Sequence, residues 1–270
     1  MRKRGDARRS GRLRAGILCG LLVTTVPATA APESCTIAAE QGLRQFPVAQ
    51  LDPAARCQLG NVVNDFSAAG AMGPVQTPIP LPLYTYLLDR PLLMASLIDR
   101  LGIGAYQFAV REPNQFWVND GDGTQGLLSL VYQDETSRIY HIDGQHEGHI
   151  FPMVKAKAAV FMKIQPATTP EGYPAVQSVL MSYTRLDSSV VAGLVRILRP
   201  LVSDAVTRKL SRGFEVTNLL GLAIARDPDR VAQEAALVPW LNVNELQTLI
   251  GLLETVPQRT SAPPPAVAAP

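Results

Sequence analysis

The stretch KAKAAVFMKI, residues 155–164, decides the fold. Ala156, Ala158, Val160, Met162 and Ile164 alternate with a series that includes Lys155, Lys157 and Lys163. Period-two alternation is the mark of a β-strand with one dry and one wet face. Short runs of the same kind precede it at Tyr106–Val110, Phe116–Val118, Leu127–Tyr132 and Arg138–Asp143, and Val176–Arg185 follows it. Asp120-Gly121-Asp122-Gly123 separates two of these runs. Its residues accept positive φ, so it reads as a hairpin turn. It also echoes half of a calcium loop, but Gln125 and Val131 stand where an EF-hand needs glycine and glutamate.

Helices flank the strands. Arg90–Leu101 carries apolar residues at helical spacing, with Pro91 in its first turn and Gly102 as its stop. A long helix is expected from Ser188 to Arg226, with Leu194, Leu198, Leu201, Val202, Ala205 and Leu210 as an apolar stripe and Pro200 or Gly213 as points of bending or breakage. Shorter helices are expected from Asp227 to Ala236 and from Asn242 to Thr255. Towards the N-terminus, Cys35–Phe46 and Pro53–Ala69 read as two helices, the second capped by Asp52 with Pro53 at its first position. The proline-rich stretch Gly73–Pro82 reads as an extended connector, and Leu83–Leu88 as a strand or the lead-in to a helix.

Residues 1–30 read as a secretory signal: seven basic residues, an apolar run from Ala15 to Val26, then Ala28-Thr29-Ala30 as a cleavage site. Arg8-Arg9 leaves the general and twin-arginine export routes both open. Cleavage there makes the protein periplasmic or secreted; the alternative is an uncleaved N-terminal anchor. The whole chain has a net charge of +2. Removing seven basic residues and Asp6 brings it to about −4, which takes away the main support for a nucleic-acid partner. Cys35 and Cys57 remain. In an exported chain they suggest one disulfide, the alternative being two free buried thiols. Closing a loop of this size contributes roughly 3 kcal/mol on the chain-entropy account. The domains expected are 1–30 as signal, 31–76 as a small disulfide-bearing helical segment, 77–256 as an α+β domain and 257–270 as a disordered proline- and alanine-rich tail.

The sequence holds no G-x-S-x-G nucleophile elbow and no phosphate-binding glycine loop followed by lysine, and no cofactor is expected. His141, His146 and His149 fall close together with Asp143 and Glu147, the residue types of a zinc or copper site. The bland alternative is an exposed polar hairpin. Arg196, Arg199, Arg208, Lys209 and Arg212 read as a solvated helix surface, or as a contact with anionic membrane headgroups.

The order of one helix (Arg90–Leu101), several antiparallel strands (Tyr106–Arg185) and a long final helix (Ser188 onward) resembles the helix-grip proteins, the START-like and polyketide-cyclase-like superfamily. The resemblance covers Leu83 to Arg226. It implies a curved antiparallel sheet packed on a long C-terminal helix, with an apolar cavity between them for a lipid, sterol or isoprenoid. On that reading Phe108, Phe116, Trp117, Tyr132, Val160, Met162, Met181, Leu194 and Leu198 line the ligand space, and the chain is an exported, bacterial-type carrier. A metal-dependent enzyme built on the histidines and a structural protein with a solid core are the alternatives.

Overall fold

The computed structural model describes residues 35–38, 41–147, 153–187 and 195–257; for 41–42, 195–207 and 210 it describes the backbone alone. The expected signal segment, the tail from 258 onward, His149 and Leu194 lie outside the described residues, as does the side chain of Leu198.

Seven strands form one antiparallel sheet: β1 (Ala68–Thr77), β2 (Gln107–Glu112), β3 (Gln115–Asn119), β4 (Thr124–Gln133), β5 (Ser137–His146), β6 (Val154–Thr168) and β7 (Pro174–Leu186). Their order is β1-β7-β6-β5-β4-β3-β2, so consecutive strands from β2 to β7 are hairpin neighbours and β1 adds to the far edge. Helix α1 (Pro53–Val63) precedes the sheet. The pair α2 (Leu81–Leu88) and α3 (Pro91–Arg100) separates β1 from β2, and α4 (Val195–Arg226), α5 (Pro228–Ala236) and α6 (Val243–Leu253) follow it.

Both faces of the sheet's centre are dry. On the inner face Val160, Met162, Ile164, Val176 and Leu180 pack in one core with Leu83, Leu93, Leu97, Phe214, Leu220 and Ile224 of the helices. On the outer face Ala159, Phe161, Ile139 and Tyr183 pack with Leu43, Phe46, Leu59 and Val62 from the N-terminal segment. Phe161 is fully buried there, its ring 5.4 Å from Phe46 and 6.1 Å from Tyr183, centre to centre. The expectation of one wet face therefore holds only towards the two ends of β6, at Lys155 and Lys157 and again at Lys163 and Gln165. From Ala158 to Met162 every side chain is apolar and buried.

The N-terminal cover is pinned in two ways. Cys35 and Cys57 form the expected disulfide. Asn64, at the C-terminal end of α1, accepts from Ala38 N–H at 2.8 Å and donates to Thr36 C=O at 2.7 Å. Asp52 caps α1 as the sequence suggested, accepting from Ala55 N–H. The expected first helix is instead a short 3-10 turn at Gln41–Gln45, because Pro47 closes the segment too soon for a longer run.

A second correction concerns β1. The sequence reading ran the helix to Ala69 and made Gly73–Pro82 a connector, but Ala68–Thr77 pairs with β7 from Ala68↔Thr184 to Thr77↔Val176. Pro74 is tolerated because β1 is an edge strand and the ladder is bulged between Met72 and Val75. Helix α4 is continuous from Val195, with no break at Pro200 or Gly213.

Helix α4 crosses β1 closely. A Cβ on Gly221 would run into Thr77 Cγ2, and buried Thr77 donates its hydroxyl to Asn218 Oδ1 at 2.7 Å. Helices α5 and α6 close the end of the core beneath α2 and α3. Tyr86 donates to the Glu245 carbonyl at 2.9 Å, and Arg100 pairs with Glu234 at 2.9 Å.

Two predictions follow from this packing. Replacing both cysteines by serine lowers the unfolding free energy by roughly 3 kcal/mol, measured by urea titration; an unchanged midpoint would contradict the pinning role. Gly221→Ala costs about 1–3 kcal/mol through overpacking. The loss shrinks in a Thr77→Ser background, which removes Cγ2 and keeps the hydroxyl, and a double-mutant cycle measures the coupling.

Candidate functional site

Strand register divides the expected ligand residues between two faces. Phe116 pairs with Leu128, Leu128 with Ile142, and Ile142 with Ala158, so these share the inner face with Val160 and Met162. Phe108, opposite Val118, is on the inner face too. Trp117 pairs with Leu127, and Leu127 with Asp143, on the outer face. Met181 pairs with Phe161 there. Tyr132 reaches the outer face because the ladder is bulged between Leu130 and Tyr132, and its hydroxyl donates to Gln50 of the N-terminal segment. Trp117, Tyr132 and Met181 are thus separated by the sheet from any space beneath α4, and the last two pack against the N-terminal cover.

The inner face is uneven. At β6 and β7 it is closed: Val160, Met162 and Leu180 are buried. Towards β2 it opens, and Phe108, Phe116, Val118, Leu128, Leu130 and Ile142 are all half-buried. Tyr140 sits at the boundary opposite Val160. Burial pushes its hydroxyl well above the usual tyrosine range, against the opposing effect of the Arg138 guanidinium. Tyr140 nevertheless retains accessible surface. Nearby, burial pushes Tyr84 up to about 12 despite its hydrogen bond with Ser178.

Arg138 is the one buried cation of this face among the described residues. Its guanidinium pairs with Asp89 at the end of α2 at 2.9 Å and donates to the carbonyls of Asp134 and Ser137. Its Nε has no partner. The pair holds α2 to β5, since a charge this deep is stable only when compensated.

The β3–β4 hairpin forms as expected, with Gly121 and Gly123 at φ 71° and 81°. Asp120 Oδ1 accepts from the N–H groups of Asp122 and Thr124. The hairpin also anchors α4: Lys209 Nζ lies 3.0 Å from Asp120 Oδ2 and bonds the Asp122 carboxylate. Burial opposes ionisation of Asp120, but the two N–H groups and Lys209 outweigh it and hold the carboxyl below the usual range. Burial likewise acts to lower Lys209, and the two carboxylates outweigh it and raise it. Of the expected basic helix surface, Lys209 is therefore committed to the hairpin, and Arg212 pairs with Glu215 at 3.0 Å.

His141 and His146 belong to one strand but are five positions apart, so they point to opposite faces. His141 is buried on the outer face. His146 Nδ1 is 3.0 Å from Thr124 Oγ1. One ion cannot take both. Among the described residues, no three His, Cys, Asp or Glu side chains are placed to hold a metal.

The outer face carries a cleft of 580 Å³ between α1 and the ends of β3–β7, bordered by Gln58, Asn61, Gln115, His141, Lys155 and Arg185 among others. A shallower hollow continues from it over Trp117 and Gln145.

No family model and no curated protein matches the chain. Solved structures of similar shape include a conserved protein from Geobacillus kaustophilus, at 9% identity over 57% of this chain and 94% of that one, with a TM-score of 0.41. Ara h 8.0201 matches at 14% identity over 58% and 99%, with a TM-score of 0.38. Norcoclaurine synthase from Thalictrum flavum, solved with dopamine and hydroxybenzaldehyde, matches at 13% over 58% and 88%, with a TM-score of 0.35. The strand order, the helix pair after β1 and the long helix after β7 settle the architecture from this chain alone. It has the helix-grip fold.

The ionic anchor of the grip helix gives a pH prediction. Asp120 has a lowered folded pKa, so its stabilisation is full above the unfolded value of about 4 and is lost as the pH falls through the folded value. The melting temperature of the native chain therefore drops more steeply below about pH 4 than that of Asp120→Asn. Parallel curves would remove Asp120 from the acid response.

Proposed function

We propose that the chain binds an apolar small molecule or lipid between the β2–β5 half of the inner sheet face and α4, as an exported carrier. The observation that carries this reading is the half-buried strip of Phe108, Phe116, Leu128 and Ile142 beside Tyr140, in a molecule whose β6–β7 half is closed by complete burial. A strip of aromatic and branched aliphatic side chains held partly open suits a ligand with no strong polar groups. Tyr140, whose hydroxyl stays protonated across the physiological range, offers one hydrogen bond to orient such a ligand. The sequence of residues 1–30 supports the export half of the reading. No described helix is long and apolar enough to cross a membrane.

His141 and His146, on opposite faces, cannot share one ion, and His149 lies outside the described residues. Solvent extraction of the purified protein followed by mass spectrometry is expected to yield one apolar compound in near-stoichiometric amount. A fluorescent fatty acid is expected to bind and to be displaced by that compound. Leu128→Asp, which places a charge in the strip, weakens probe binding at least tenfold, whereas absence of both extractable compound and probe binding would refute the carrier reading.

A further inference from the structure

The outer-face cleft is a separate feature, divided from the α4 side by the full thickness of the sheet. We propose that it is a second binding site, for a saccharide carrying one carboxylate. Three observations define its chemistry.

The first is His141. It is only 9% exposed, borders the cleft, and its ring makes no hydrogen bond among the described residues. Burial and the Lys157 ammonium favour its neutral form, with Asp143 acting the other way. A neutral imidazole offers one donor and one acceptor. With no described protein partner for its ring, His141 at the wall of the cleft is free to bond a polar group of a ligand.

The second is the distribution of charge. Lys157 is paired with Asp143 at 3.1 Å. Arg185 pairs with Asp65 at 3.5 Å and donates to the Asn61 carbonyl at 2.9 Å. Lys155 has no such partner among the described residues and borders both the cleft and the hollow beside it; Asp187, the other carboxylate of the cleft besides Asp143, has an interaction of its own. One uncommitted cation matches one carboxylate. A phosphate is favoured by clustered donors with planar or bidentate geometry, and the guanidinium here is already engaged.

The third is the remaining wall. Gln58 and Asn61 from α1 and Gln115 from β3 present amide groups that both donate and accept, as hydroxyl-rich rings require. Half-buried Trp117 lines the adjoining hollow. Its ring offers an apolar surface with a polar edge, and a sugar ring has a C–H face to lay against it. The volume of 580 Å³ falls within the range of small-molecule sites.

The test uses the full mature chain carrying Trp240→Phe, so that Trp117 is the only tryptophan reporter. A glucuronate-containing disaccharide, its uncharged methyl ester and inorganic phosphate are titrated while Trp117 fluorescence is followed. The acid is expected to bind saturably, with the ester at least tenfold weaker and phosphate without effect. Lys155→Met, at an exposed position that spares folding, reduces the acid to the level of the ester and leaves fatty-acid probe binding on the inner face unchanged. No saturable response to the acid, equal binding of acid and ester, competition by phosphate at equal concentration, or an unaltered Lys155→Met affinity would each overturn the proposal. None of these outcomes bears on the inner-face reading, which the fatty-acid probe tests by itself.

Discussion

Between Ala158 and Met162, strand β6 has apolar side chains pointing both ways, and a strand with two dry faces must be covered twice. Most of the structure serves that constraint. The helices after β1 and β7 cover one side, and the disulfide-pinned N-terminal segment covers the other. The cover at Phe161 is not decoration on a minimal fold. Without it a fully buried aromatic side chain, with Tyr183 and Ile139 beside it, would face water. The same constraint explains the close passage of α4 over β1, where glycine at 221 lets the helix settle on a threonine of the edge strand.

Much of this was legible in the sequence, and the failures have physical causes. The alternation around Lys155–Ile164, the Asp-Gly-Asp-Gly hairpin and the Asp52 cap each name their structure directly. The run Ala158-Ala159-Val160-Phe161-Met162 was also readable: an unbroken apolar run within a strand means burial on both faces, and the flanking lysines drew attention away from it. Strand β1 was hidden because Gly73 and Pro74 oppose strand formation everywhere except at an edge bulge. The continuity of α4 through Gly213 reflects tertiary support that propensity cannot register.

The candidate site was less legible, for a reason that lies in period two itself. Phe116 and Trp117 are adjacent, so one strand cannot send both into the same space. The same rule separates His141 from His146. The bulge before Tyr132 then shifts the phase within β4, which no local pattern announces. Arg138 was passed over because a buried arginine carries no motif. Its importance comes from Asp89 at the end of α2, about fifty positions back along the chain.

The uneven burial of the sheet divides the molecule mechanically. Strands β6 and β7 are clamped between two cores, and their amides can exchange only when the whole domain opens. Strands β2 and β3 lie at the other margin, half-buried at best, with β2 an edge and the Lys209 link as a tether from its neighbouring hairpin to the helix. By burial the sheet is built like a cantilever: packed on both faces at its root, with the apolar strip towards its less covered tip.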